Sequence, residues 1–273
     1  MARYTLFALA LAGGVVLSLL TPVVHATKPA SRASTPTKHR RAASAKTSKT
    51  SKTKTDESSE GHVTSPADAR DTPAVRYAQL APDDCEAELA GRHIEFAHET
   101  ADAVLAPVRL TGPLHGVVFR TDQPDKARAT SRWEIVDCRL VLALDDFAEI
   151  LARHAIVEVR HYSMYRPPKT WTDDKPGTRH TGALAIDAGR FIDQSGTVLD
   201  VDHDFHGAIG AKTCGDGAAP RPATPAALTL REILCEAAER RLFNVMLTPN
   251  YNRPHKNHFH LELTAGVGWF LVH

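Results

Sequence analysis

The stretch Asn257-His258-Phe259-His260-Leu261-Glu262-Leu263 decides how this chain is read. Polar and apolar residues alternate with period two, the repeat of a β-strand. His258, His260 and Glu262 then share one face, and Phe259, Leu261 and Leu263 share the other. Such a strand points two imidazoles into a site and three apolar side chains into a core. Upstream, Thr178-Arg179-His180-Thr181-Gly182-Ala183-Leu184-Ala185-Ile186-Asp187 reads as a loop running into a short apolar strand. It supplies another imidazole, His180, and a carboxylate, Asp187, with six residues between them. Two imidazoles and one carboxylate are a common ligand set for a catalytic zinc, which keeps a coordination position open for water. Spacing alone leaves open whether His258 or His260 completes that set.

Outward from these two strands the pattern is α+β: a small antiparallel sheet carrying the zinc site and flanked by helices. Asp84 to Gly91 reads as a short helix. Val136 to Arg153 has a helical stripe in its second half, and β-branched Ile156 to Tyr162 reads as a strand. Thr229 is the expected N-cap of a helix reaching Leu242, with Leu230, Ile233, Leu234, Ala237, Ala238 and Leu242 as its apolar stripe. Asp200-Val201-Asp202-His203-Asp204-Phe205-His206 reads as a solvated strand and turn, with a second metal cluster as the alternative. His161 and His255 are candidates for orienting the ligands, or are simply polar neighbours.

The N-terminal third has a different character. Met1 to Ala26 has the form of a secretory signal peptide: Arg3, an apolar run from Leu6 to Leu20, and Val24-His25-Ala26 as a cleavage site. The run is short for a membrane span, so no stable span is expected after cleavage. Residues 27 to 78 are rich in Ser, Thr, Lys, Ala and Pro and read as a disordered basic linker, which leaves 79–273 as the folded domain. Nine Lys or Arg and no acid fall between Lys28 and Lys54, whereas the whole chain carries a formal charge of +1. A basic arm therefore precedes a mildly acidic domain. Its charge suits anionic envelope polymers, or it is a solvated spacer. It lacks interleaved aromatics and follows an export signal, so nucleic acid is not an expected partner.

Four cysteines remain after the signal: Cys85, Cys138, Cys214 and Cys235. In an exported chain an even count implies two disulfides, with three pairings open. Cys85–Cys138 and Cys214–Cys235 are the expected pair, the second closing a Gly/Pro-rich excursion onto a helix.

The ordered residues resemble the extensin-like C-terminal branch of the Hedgehog/D-Ala-D-Ala peptidase superfamily. Thr178, His180, Ala183, Ala185, Asp187, His258 and His260 carry its Ser/Thr-x-His…Asp…His-x-His pattern. Tyr165-Arg166-Pro167, and Tyr251-Asn252 with His255, match its flanking elements. The resemblance spans about residues 80 to 265. It implies zinc held by His180, Asp187 and His260, with His258 acting on water as the general base. Arg166 would bind an oxyanion or a substrate carboxylate, and Thr178 would donate a hydrogen bond to substrate. It also implies hydrolysis of an amide bond in peptidoglycan by an exported enzyme of the periplasm or extracellular space. Two positions depart from the pattern. Ala183 stands where many members have Gly, and Asn257 stands where the carboxypeptidase branch has its general-base Glu. The second departure supports an alternative, a non-catalytic zinc-containing module that binds cell wall.

Overall fold

In the computed structural model the chain is described over residues 69–168 and 179–273. The signal-peptide region, the linker as far as residue 68, and Thr178 lie outside those residues. The linker reading runs too far at its C-terminal end. Pro73–Ala78 forms helix α1, and Ala74, Val75, Tyr77 and Ala78 are buried. Composition misled here because Asp, Arg and Pro flank a four-residue apolar group that the domain covers. Tyr77 donates to Asp146 at 2.6 Å and receives a hydrogen bond from Arg92 at 2.7 Å.

Helix α2, Pro82–Gly91, begins with proline at its first turn, where the missing N–H costs nothing. Strands β1 (Phe96–His98), β2 (Pro107–Leu110) and β4 (Val136–Asp137) form a small antiparallel sheet. Helix α3, Asp125–Arg128, is a single turn after β3, Val118–Thr121. Asp137 ends β4 and caps the central helix α4, Cys138–Arg153, accepting from the Arg139 backbone at 3.0 Å. The Arg139 side chain returns to the same carboxylate, and the pair is buried. Almost every turn of α4 is covered, the pattern of a helix at the centre of a core.

The main sheet has seven strands. Ile156–His161 (β5), Ala185–Asp193 (β6), Val198–Asp200 (β7), Val245–Leu247 (β8), Phe259–Glu262 (β9) and Leu271–Val272 (β10) join β3 in the order β10-β8-β9-β6-β5-β3, with β7 also on β6. The pairs from β8 through β5 are antiparallel, as expected. The outermost pairs, β3 with β5 and β10 with β8, are parallel. Phe191, Phe205 and Phe259 pack together in the core, with ring centres 5.6 and 5.3 Å apart.

Two local expectations are corrected. The last long helix, α6, spans Pro225–Glu239, and its cap is Thr224 rather than Thr229. Thr224 accepts from Ala227 N at 3.2 Å, and Pro225 fixes the first turn, so the signal sits five residues earlier. The acidic stretch stops being a strand at Asp200, which caps the one-turn helix α5, Val201–Asp204. Asp200 Oδ1 accepts from Asp202 N at 3.0 Å, and Val201 and Phe205, one helical turn apart, are both buried. Both disulfides are present in the expected pairing, Cys85–Cys138 and Cys214–Cys235. The first ties α2 to the start of α4; the second ties the excursion to α6.

Candidate metal centre

Asp187 and His260 are direct cross-strand partners in β6 and β9. Alternation sends both side chains to the face of the sheet opposite Ile186, Ala188, Phe259 and Leu261, which are in the core. His180 arrives from the turn before β6. That turn closes with Leu184 N donating to Arg179 O at 3.0 Å and Ala183 N to His180 O at 3.2 Å. Ala183 takes φ +53° there, the left-handed region that glycine enters freely. Alanine accepts backbone strain at that position.

The three side chains meet at one point. His180 Nε2 is 3.0 Å and His260 Nδ1 2.9 Å from the same oxygen, Asp187 Oδ1. One ligand atom from each residue lies within 4.8 Å of the others, and all three residues are buried. His258 approaches the same oxygen with Nε2 at 3.4 Å but is more open, its side chain 12% exposed. Among the described residues this is the one convergent group; Asp200, Asp202, His203 and Asp204 form none.

The surrounding contacts fix how each ring faces. His180 Nδ1 is 3.1 Å from the Met164 carbonyl, which turns Nε2 inward. His260 Nε2 is 3.0 Å from the buried Glu262 carboxylate, which in turn accepts from Thr264 Oγ1 at 2.7 Å. His258 Nδ1 is 2.9 Å from Asn257 Oδ1. Arg166 pairs with Asp187 Oδ2 and donates from Nε to Ser163 Oγ at 2.9 Å. Arg166 therefore holds the second carboxylate oxygen while the first faces the imidazoles. The orienting role of Glu262 was missed in the sequence, although its place two residues after His260 on the same face was the signal for it. His161 belongs to the opposite face: it is paired with Ala188, and its Nε2 is 3.7 Å from Glu134. His255 does join the site, its ring centre 5.2 Å from that of His258 and 5.7 Å from that of His260.

The electrostatics follow from this crowding. Burial alone would raise the Asp187 carboxyl, but His180, His258 and His260 outweigh it and hold the group well below the usual range. Burial lowers His180, helped by His260 and Arg166. Burial also opposes a charge on His260, yet hydrogen bonds to Asp187 and Glu262 raise it to about 9. His255 drops to about 4 through burial and the neighbouring His260 and His258. An ionised carboxylate and two inward-facing ring nitrogens on one point match the chemistry of a divalent transition-metal site. Carboxylate and carbonyl supports behind the rings are the usual companions of such ligands.

Comparison with curated proteins and with solved structures found no match. The family model described as extensin-like protein C-terminus matches residues 83–271, a span that takes in both disulfides, Arg166, His180, Asp187, His258 and His260. The chain belongs to that extensin-like C-terminal family.

Proposed function

We propose that this protein is an exported zinc-dependent peptidase of the Hedgehog/D-Ala-D-Ala peptidase type that hydrolyses an amide bond in peptidoglycan. One observation carries the reading: His180, Asp187 and His260 converge on one buried point, with a less buried imidazole, His258, beside it. His180, Asp187 and His260 would hold the metal. Bound zinc supplies Lewis acidity, polarising a carbonyl and acidifying water. Two disulfides and the signal-like N-terminus support a periplasmic or extracellular setting.

The remaining chemistry belongs to side chains. His258 donates Nδ1–H to Asn257 Oδ1, which leaves Nε2 able to take a proton at the site's edge. A general base positioned in this way does not need the Glu that Asn257 replaces. Arg166 orients Asp187 and keeps a permanent positive charge at the mouth, suited to a substrate carboxylate or a developing oxyanion. Thr178, outside the described residues, keeps its expected role as a hydrogen-bond donor to substrate.

One observation favours the alternative of a non-catalytic wall-binding module: Asn257 has no ionisable group and cannot act as a general base. A single experiment separates the two. Zinc-loaded protein is incubated with purified sacculi, and the soluble fraction is analysed by mass. Release of peptide fragments carrying newly exposed termini supports the peptidase. Sedimentation with sacculi without any release supports the module, and neither binding nor release overturns both.

A further inference from the structure

A crevice of about 450 Å³ opens where β6 ends, between the last turn of α4 and the first turn of α6. Asp193, on its border, closes β6, and Asp187 lies roughly 20 Å back along the same extended strand. Ile156 and Leu199 form an apolar floor, 1% and 6% exposed, and Pro225 and Ala226 form an apolar wall. The rim is polar. It carries the imidazoles of His154 and His206 and the carboxylates of Asp193 and Asp204, all half-buried. Each carboxylate is anchored through one oxygen. Asp193 Oδ1 accepts from Ser195 N, Ser195 Oγ and Thr197 N at 2.8, 2.6 and 2.9 Å. Asp204 Oδ2 accepts from Asp200 N at 2.7 Å. Asp204 Oδ1 and the ring nitrogens of both histidines have no hydrogen-bond partner among the described residues. No Lys or Arg among the described residues lines the crevice.

Charge decides what such a space accepts. The two helix ends carry partial charges of opposite sign, about −0.5 from the end of α4 and about +0.5 from the start of α6, which offset one another. Thr224 already satisfies part of the α6 end by accepting from Ala227 N. The two carboxylates remain, with no basic side chain in the lining to oppose them. The Ser195 hydroxyl, together with the N–H groups of Thr197 and Ser195, holds the Asp193 carboxyl below the usual range, so it is ionised at neutral pH. We infer that this crevice is a binding site for a small organic ammonium ion with an apolar body. The body lies on Ile156 and Leu199, and the ammonium group reaches a carboxylate on the rim. There it gains a charge-assisted hydrogen bond, neutral imidazoles add acceptors, and the second carboxylate adds to the field. The volume falls within the roughly 300–1,000 Å³ of small-molecule sites. An anion of the same shape meets two like charges, and a neutral alcohol gains little beyond the floor. None of these residues belongs to the His180–Asp187–His260 group, so the site is independent of the metal and of the peptidase reading.

Three probes of matched shape and different charge test this: hexylammonium, hexanol and hexanoate. Each is titrated into the isotopically labelled full-length protein, and amide shifts in the nuclear magnetic resonance spectrum give both the affinity and the place of binding. The expected result is a hexylammonium dissociation constant on the order of a millimolar, with shifts centred on Ile156, Asp193, Leu199 and Ala226. Hexanol is expected to bind about tenfold more weakly, and hexanoate to leave the crevice unshifted. Asp193→Asn and Asp204→Asn keep the anchoring oxygens and remove the charge. Each is expected to weaken hexylammonium about tenfold while leaving hexanol unchanged. Ala226→Leu fills the wall and is expected to abolish both, with thermal midpoints checked for all three variants. Hexylammonium that leaves the crevice unshifted overturns the site. Hexanol or hexanoate binding as tightly as hexylammonium, or both Asn variants binding it unchanged, overturns the assignment of a cation. Repeating the titration after chelation of metal is expected to give the same affinity; loss of binding would tie the crevice to the metal centre and overturn its independence.

Discussion

His258 and His260 sit two residues apart on one strand face, yet their surroundings divide them. His260 is sealed between Asp187 and Glu262, whereas His258 reaches the surface and leans on Asn257. If the division is functional, His180→Ala, Asp187→Ala and His260→Ala each lose zinc as well as activity. His258→Ala keeps near-stoichiometric zinc and loses activity by about 10²–10⁴-fold. Metal analysis beside a sacculus assay checks this; zinc retained by all four variants would remove the site. Two supporting residues have graded consequences. Glu262→Gln is expected to weaken zinc binding by about 10–100-fold, as measured by chelator competition. Asn257→Ala, which frees the His258 ring, is expected to lower kcat more than it changes KM while zinc content stays constant. An unchanged kcat would separate Asn257 from the chemistry.

At the scale of elements, caps and cross-links decide where helices start and what they are tied to. Thr224→Ala removes the α6 cap and is expected to lower unfolding stability by about 1 kcal/mol. Thr229→Ala, inside the helix, costs less because alanine is the better helix former there. Urea unfolding of both variants tests the assignment, and the reverse order would restore Thr229 as the cap. The disulfides act mainly on the unfolded chain. The Cys85–Cys138 bridge spans 53 residues and Cys214–Cys235 spans 21, so the first constrains more chain entropy. Removing either as a Cys-to-Ser pair is expected to cost about 2–4 kcal/mol, with the larger loss for the first. Non-reducing peptide mapping checks the pairing itself.

Across the whole molecule, one buried carboxylate outside the His180–Asp187–His260 group is expected to contribute to acid stability. Glu134 is 8% exposed and accepts from Thr121 N at 2.9 Å and Thr121 Oγ1 at 2.7 Å. Burial alone would raise its pKa, but His161 and these hydrogen bonds bring it down to about 2 from an ordinary 4.5. A carboxylate depressed on folding adds stability that is fully present above pH 4.5 and lost as pH falls through about 2. Glu134→Gln is therefore expected to cost about 1–3 kcal/mol at neutral pH, a difference that closes toward pH 2. Urea midpoints measured across that range test it; a gap that persists unchanged at pH 2 would assign the loss to packing instead.

The sequence by itself determined the strand that carries two histidines on one face and the α+β character of the domain, but left open which of the two joins His180 and Asp187. Each rests on short-range periodicity: alternation along Asn257 to Leu263 specifies a face wherever the strand lies. The even cysteine count specified two bridges but allowed three pairings. Tertiary structure decided among these and supplied what spacing cannot encode. It made Asp187 and His260 cross-strand neighbours, although 73 residues of sequence separation lie between them. It sent His161 to the core face while bringing His255 into the site, a division that depends on sheet register and a bulge. It placed Tyr162 over Gly189, and it folded Pro73–Ala78 onto the domain although its composition resembled the linker. The physical reason is the same in each case. Periodicity tells which side of an element a residue occupies, but burial and strand pairing determine what that side meets.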